Sequence, residues 1–167
     1  MSPHYRVHVS KDYLVFACAH FVIFDAHSRE PLHGHNYRLS ITVDGTLDDY
    51  GFVLDFVRMK KLARRLVDSI DHRVLLAEHA PRLTYRQDGE MLHVDYEGRP
   101  AYMLPADEVI RLPILNTTVE CIGAWFAERF KEEFTALGYT NLTMLELDIE
   151  ENTRQSAIVR VPLGTGI

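Results

Sequence analysis

The chain reads as an α+β fold in which two helices lie on one face of an antiparallel four-stranded sheet. Alternating apolar patterns stand at both ends of the chain, and two amphipathic helical patterns lie between them. Strands, then helices, then strands is an α+β order and not the alternation of βα units.

Tyr5 to Phe21 is rich in Val, Tyr, Phe and Leu and is broken near Ser10 to Asp12, so it forms one long strand or, as taken here, a first strand pair. From Asn36 to Val43, residues Tyr37, Leu39, Ile41 and Val43 alternate with Arg38, Ser40 and Thr42, the period of a half-buried strand. Asp55 caps a first helix, whose Met59, Leu62, Ala63, Leu66, Val67 and Ile70 oppose Lys60, Lys61, Arg64 and Arg65. Thr117 and Glu120 have capping-box spacing ahead of a second helix that runs through Ile122, Phe126, Phe130 and Phe134 and stops at Gly138. Leu142 to Glu150 and Ser156 to Val161 form a closing hairpin joined through Asn152 to Gln155. An excursion around 85–112, with turn residues at Gln87 to Gly89 and Glu97 to Pro100, reads as a small hairpin inside a single domain spanning 1–167.

With 167 residues, 47% of them hydrophobic and 25% charged, the chain can bury a real core. The 18 Lys and Arg against 24 Asp and Glu leave a net charge of −6, which offers no electrostatic footprint for nucleic acid. Neither a signal peptide nor a membrane-spanning run is visible, and two cysteines make no disulfide framework, so a cytoplasmic location is expected.

Nine histidines are the unusual entry in the composition. His33 and His35 flank Gly34 at the start of a strand, so period-two geometry sets both imidazoles on one face, about 6.6 Å apart along the chain. Their parity continues into Leu39, Ile41 and Val43, an interior face on which an unpaired ring is costly. His20 ends the first apolar strand on the face of Leu14, Phe16 and Cys18, and an antiparallel partner could bring it beside the pair. Three neutral imidazoles with one open position describe a catalytic zinc site, although an HxH pair alone is equally a loop feature and His20 equally a satisfied core histidine.

Five segments occur in order: FACAH (16–20), EPLHGHNY (30–37), DH (71–72), TTVE (117–120) and EN (151–152). Together they resemble the 6-pyruvoyltetrahydropterin and 6-carboxytetrahydropterin synthase family, over roughly residues 5–84 and 113–163. The resemblance implies the tunnelling fold, with trimers closing into a barrel, commonly stacked as hexamers, and a small-molecule pterin as substrate. It implies His20, His33 and His35 as zinc ligands and Glu151 as the anchor of the pterin ring. It also implies Asp71 and His72 as proton-transfer machinery, with Thr118 and Glu120 at the bound ring. Simpler roles stay open for several of these: a helix cap for Glu120, a solvated strand end for Glu151, and a helix-terminal histidine for His72.

One departure bears on the reaction. Where the synthases place a basic cysteine shortly before HGH, this chain has His27, Ser28 and Arg29, and Glu30 stands three residues ahead of His33. E-x-x-H-G-H is similar to the subgroup in which glutamate replaces cysteine. The resemblance to that subgroup implies that the side chain of dihydroneopterin, as the triphosphate, is shortened to 6-hydroxymethyl-7,8-dihydropterin by a retro-aldol cleavage for folate-type synthesis. The alternatives are 6-carboxytetrahydropterin synthesis for queuosine-type deazapurines, a zinc- and pterin-binding protein without chemistry, and a generic zinc hydrolase. Cys18 is the one candidate for a substitute thiol.

Overall fold

The computed structural model describes residues 3–25 and 27–164. Its first two elements are long strands, β1 (Tyr5–His20) and β2 (His33–Gly45), paired antiparallel from Tyr5 opposite Gly45 to His20 opposite His33. The break near Ser10 is a register shift within one strand and not the turn of a strand pair. Val9 is buried before the shift and Leu14, Phe16, Cys18 and His20 after it, so the bulge moves the inward alternation from odd to even positions.

Helix α1 (Phe56–Asp68) starts as the sequence predicts, with Asp55 Oδ1 accepting from the Val57 N–H at 2.7 Å. It buries Met59, Leu62, Ala63, Leu66 and Val67 against the sheet. Seven further elements then follow: β3 (Arg73–Ala77), β4 (Leu83–Asp88), β5 (Met91–Tyr96), β6 (Arg99–Pro105), β7 (Val109–Leu112), α2 (Val119–Ala136) and β8 (Leu142–Asn152). The last strand is β9 (Gln155–Pro162).

The main sheet has the order β7-β3-β1-β2-β8-β9. Its β1-β2-β8-β9 portion is the antiparallel four-stranded sheet read from the sequence. The additions β3 and β7 run parallel to β1 and to each other. Strands of five and four residues are too short for a period-two pattern to declare itself. The 85–112 excursion does turn at Gly89 and Gly98, where φ is 59° and 70°, but it forms a separate three-stranded meander, β4-β5-β6, and its last residues belong to the main sheet.

Helix α2 begins one residue later than the capping-box reading places it. Thr118 accepts from the Cys121 N–H at 3.3 Å, because Thr117 is used elsewhere: its hydroxyl donates to Phe21 O at 2.7 Å and its N–H donates to Asn116 Oδ1 at 3.0 Å. The helix ends at Gly138 (φ 76°), with the Tyr139 N–H reaching back to Phe134 O at 3.1 Å.

Both helices pack on the face that carries Phe16, Tyr37, Leu39, Leu145 and Ile149, and Phe126 and Phe130 of α2 are wholly buried there. Each large apolar side chain buried in this layer contributes roughly 1.5–3 kcal/mol. The opposite face is lined by Arg6, Ser10, Arg38 and Ser40, and β7 and β9 each leave one edge unpaired among the described residues. No helix of the described residues is long and apolar enough to cross a membrane.

Candidate metal centre

Register builds the centre. His20 stands opposite His33 and Cys18 opposite His35, so the end of β1 and the start of β2 present three imidazoles on the inner, helix-covered face. Ring centroids are 4.8 Å apart for His20 and His33, 5.4 Å for His20 and His35, and 4.8 Å for His33 and His35. One ligand atom from each residue lies within 4.8 Å of the others. Gly34 faces away, and a Cβ there would sit 3.3 Å from the Cys18 carbonyl oxygen, so a small residue suits the position between the histidines.

Two backbone carbonyls set the tautomers. His20 donates from Nδ1 to Thr117 O at 2.8 Å, and His33 donates from Nδ1 to Pro31 O at 2.9 Å. A carbonyl can only accept, so the proton sits on Nδ1 and each Nε2 keeps its lone pair. Burial pushes the His20 pKa below its ordinary value against the opposing pull of the Thr117 carbonyl, which favours the neutral ligand form. Together with His35, these imidazoles fit a divalent metal with room for further ligands.

Tyr37 and Glu151 stand beside the cluster. The Tyr37 hydroxyl donates to Glu151 Oε1 at 2.8 Å and lies 3.1 Å from His20 Nε2. Glu151 continues the buried face of Leu147 and Ile149, and its Oε1 is 3.6 Å from His20 Nε2 and 4.0 Å from His35 Nε2. The carboxylate therefore points at the cluster and not into solvent.

Glu30 approaches from the loop before β2. Its Oε2 accepts from the Val22 N–H at 3.1 Å and lies 3.8 Å from His33 Nε2. The loop is pinned from the β4-β5-β6 meander, where the Tyr102 hydroxyl accepts from the Leu32 N–H at 3.0 Å and from Arg29 Nη1 at 2.6 Å. Arg29 Nη1 also donates to Glu30 O at 2.8 Å. Cys18 is a poor rival as base, since burial, followed by the Glu151 and Asp71 carboxylates, pushes its thiol up to about 12.

Asp71 and His72 are not brought to this cluster. Asp71 Oδ1 accepts from the Ala17 N–H at 2.8 Å and lies 3.0 Å from His72 Nδ1. Both residues line a hollow of about 380 Å³ with Ala17, Asn36, Arg38 and Glu150, whose strand parity is opposite to that of the histidines. The pair thus stands over the outer face. Burial raises the Asp71 pKa, but the Ala17 N–H and His72 outweigh it and hold the carboxyl below its ordinary value. Thr118 is the α2 cap and Glu120 is exposed in the first turn of that helix.

Sequence reasoning missed the supports. Asn116 donates to Ile23 O at 2.8 Å and accepts from its N–H at 3.1 Å, acting as a strand partner for the chain just after His20. The Tyr37 hydroxyl was discoverable, because a tyrosine among Leu, Ile and Val on a buried face needs a polar partner. The Tyr102 contact, 70 residues away from Leu32 in the chain, left no signal of that kind.

A family profile described as 6-pyruvoyl tetrahydropterin synthase matches residues 8–162. The chain belongs to that family. It is 31% identical over 148 residues to a Methanocaldococcus jannaschii protein provisionally named 6-carboxy-5,6,7,8-tetrahydropterin synthase, covering 88% of this chain and 90% of that one. A shorter match, 41% identical over 46 residues, joins 28% of this chain to 40% of a Pyrococcus furiosus dihydroneopterin monophosphate aldolase. The crystal structure of the Plasmodium vivax 6-pyruvoyl tetrahydropterin synthase superposes with a TM-score of 0.90 at 26% identity, over 96% of this chain and 99% of that one. A form of that Plasmodium protein in which a glutamate described as a catalytic residue is replaced by alanine matches equally well, at 25% identity and a TM-score of 0.90 over the same shares.

Proposed function

We propose that this member of the 6-pyruvoyl tetrahydropterin synthase family is a zinc-dependent lyase that cleaves or shortens the side chain of a dihydropterin, with Glu30 as its proton carrier. The carrying observation is the Glu30 carboxylate, 3.8 Å from His33 Nε2 at the rim of three convergent imidazoles. Zinc held by His20, His33 and His35 would supply a Lewis acid that polarises side-chain oxygens of the substrate. Glu30, oriented by the Val22 N–H, takes and returns the proton, as a general base must sit within reach of the reacting group. Glu151, held by Tyr37 through Oε1, accepts N–H bonds from the guanidine-like edge of the pterin. Thr118 and Glu120 lie beside the ring at the α2 terminus in this reading.

Asp71 and His72 join the reaction only if a second subunit presents its outer face to the first subunit's metal centre. The unpaired edges of β7 and β9 support such an assembly, a barrel of trimers or a hexamer, because open edges favour pairing between copies. A cytoplasmic enzyme with no nucleic-acid or membrane partner completes the reading.

For the product, the near full-length likeness to a protein provisionally named 6-carboxy-5,6,7,8-tetrahydropterin synthase puts 6-carboxytetrahydropterin first. The retro-aldol reading, giving 6-hydroxymethyl-7,8-dihydropterin, stands second on a specific observation: the Glu30 carboxylate lies 3.8 Å from His33 Nε2, and the residue described as catalytic in the Plasmodium relative is a glutamate. The test is incubation of the zinc-loaded protein with 7,8-dihydroneopterin triphosphate and identification of the product by mass. A 6-carboxy product supports the first reading and a 6-hydroxymethyl product the second. Bound but unchanged pterin contradicts both and leaves a binding protein.

A further inference from the structure

A cavity of about 540 Å³ lies between the loop that carries Glu30 and the β4-β5-β6 meander, lined by His27, Arg29, Arg82, Tyr96, Glu97 and Arg99. Three guanidiniums face one carboxylate there, in a chain whose net charge is −6. Arg82 is paired with Glu97. Arg29 is held rigidly, its guanidinium 4.9 Å from the Tyr102 ring centroid, 5.2 Å from that of Phe21 and 5.5 Å from that of Tyr96. Arg99 is exposed at the start of β6. The Tyr96 hydroxyl is buried with no hydrogen-bond partner among the described residues, an orphan polar group in the cavity lining.

The cavity adjoins the metal centre through the backbone. Arg29 precedes Glu30 and donates to its carbonyl, and Phe21, on which Arg29 stacks, follows the ligand His20. An arginine fixed by aromatic rings loses little freedom on binding an anion, and its planar fork suits phosphate oxygens.

We infer that this cavity is the subsite for the phosphate groups of a phosphorylated pterin side chain, with Arg29 and Arg99 as its cations. The inference rests on the lyase reading above for the identity of the substrate, but anion binding can be measured without turnover. The meander strands, which already pin the Glu30 loop through Tyr102, also become the specificity-determining wall of the site. Arg29 then ties an occupied phosphate site to the loop that carries the base.

The test is calorimetric titration of the zinc-loaded full chain with inorganic tripolyphosphate, for the wild type, Arg99→Glu and Arg99→Lys. One site per chain is expected, weakened about tenfold or more by Arg99→Glu, retained by Arg99→Lys and weakened by added salt. Arg99 is exposed, so these exchanges leave the fold in place, as a melting temperature verifies; Arg99→Ala gives a second, neutral variant with a smaller expected loss. Equal affinity in the wild type and Arg99→Glu would place the anion elsewhere, at the metal for example, and overturn the assignment, as would no binding. Anion binding at this site in a protein that turns over no pterin removes the lyase reading and leaves the anion site standing. Turnover of a phosphorylated pterin with KM unmoved by Arg99→Glu removes the subsite and leaves the lyase.

Discussion

The Tyr37 hydroxyl donates to Glu151 at 2.8 Å and lies 3.1 Å from His20 Nε2, so one buried phenol joins the carboxylate of β8 to the histidine of β1. Its ring is held by stacking on Phe16 at 4.8 Å with the planes 7° apart. Tyr37→Phe keeps that packing and removes the only part of the side chain that reaches Glu151. The substitution is expected to cost about 1–3 kcal/mol, because a largely buried carboxylate loses its 2.8 Å donor and keeps only the 3.5 Å contact from Gln155 Nε2. Urea unfolding of the two proteins measures it, and an unchanged midpoint with an unchanged slope would show that Glu151 is satisfied some other way.

Tyr102 carries a separate prediction. Its hydroxyl accepts from both Leu32 and Arg29, which places the Glu30 loop relative to the histidines. Tyr102→Phe should retain zinc and leave KM nearly constant while kcat falls about tenfold, the scale of loss for a misplaced reacting group. A loss of metal in this variant would instead show that the hydroxyl supports the ligands themselves.

Asp71 sets an acid-side dependence of stability. Its carboxyl is held below the ordinary 3.8 despite burial, by the Ala17 N–H and His72, so the folded state favours the carboxylate. That contribution is complete above the ordinary value and disappears as pH falls through the lower folded value. Asp71→Asn should therefore be less stable than wild type by about 1–2 kcal/mol at neutral pH, with the gap closing at an acidic pH below the lowered folded value. Denaturant titrations at the two pH values test this, and a gap that widens in acid would reverse the assignment.

The placement of Asp71 and His72 over the outer face predicts shared sites. A His33→Ala protein and a His72→Ala protein, each inactive, should regain part of the activity when unfolded together and refolded as mixed oligomers. Mixtures that stay inactive despite forming mixed oligomers would confine the chemistry to one chain.

Legibility followed the range of the interaction. The histidine cluster was readable because HGH alternation and the parity of Leu14 to His20 are local, and only the pairing of β1 with β2 had to be supplied. The bulge after Ser10 mattered for that pairing, and a break in alternation cannot by itself distinguish a bulge from a turn. Thr117 looked like a cap because its partner Phe21 lies 96 residues away, and the capping pattern in the sequence was satisfied by Thr118 one step on. Strands β3 and β7 were missed since parallel partners distant in sequence decide their state, not their own four or five residues. The meander was visible as two turns, but nothing local announced that Tyr102 on it would hold the Glu30 loop.

The most direct test of the account is turnover by Glu30→Gln with zinc content measured on the same sample. Glutamine keeps the size and the acceptor for the Val22 N–H, yet cannot serve as a base. The account predicts full zinc occupancy, unchanged pterin binding and a loss of kcat of at least about a hundredfold. Turnover near the wild-type rate with zinc in place would contradict it and require a different group at the rim of the histidine cluster to move the proton.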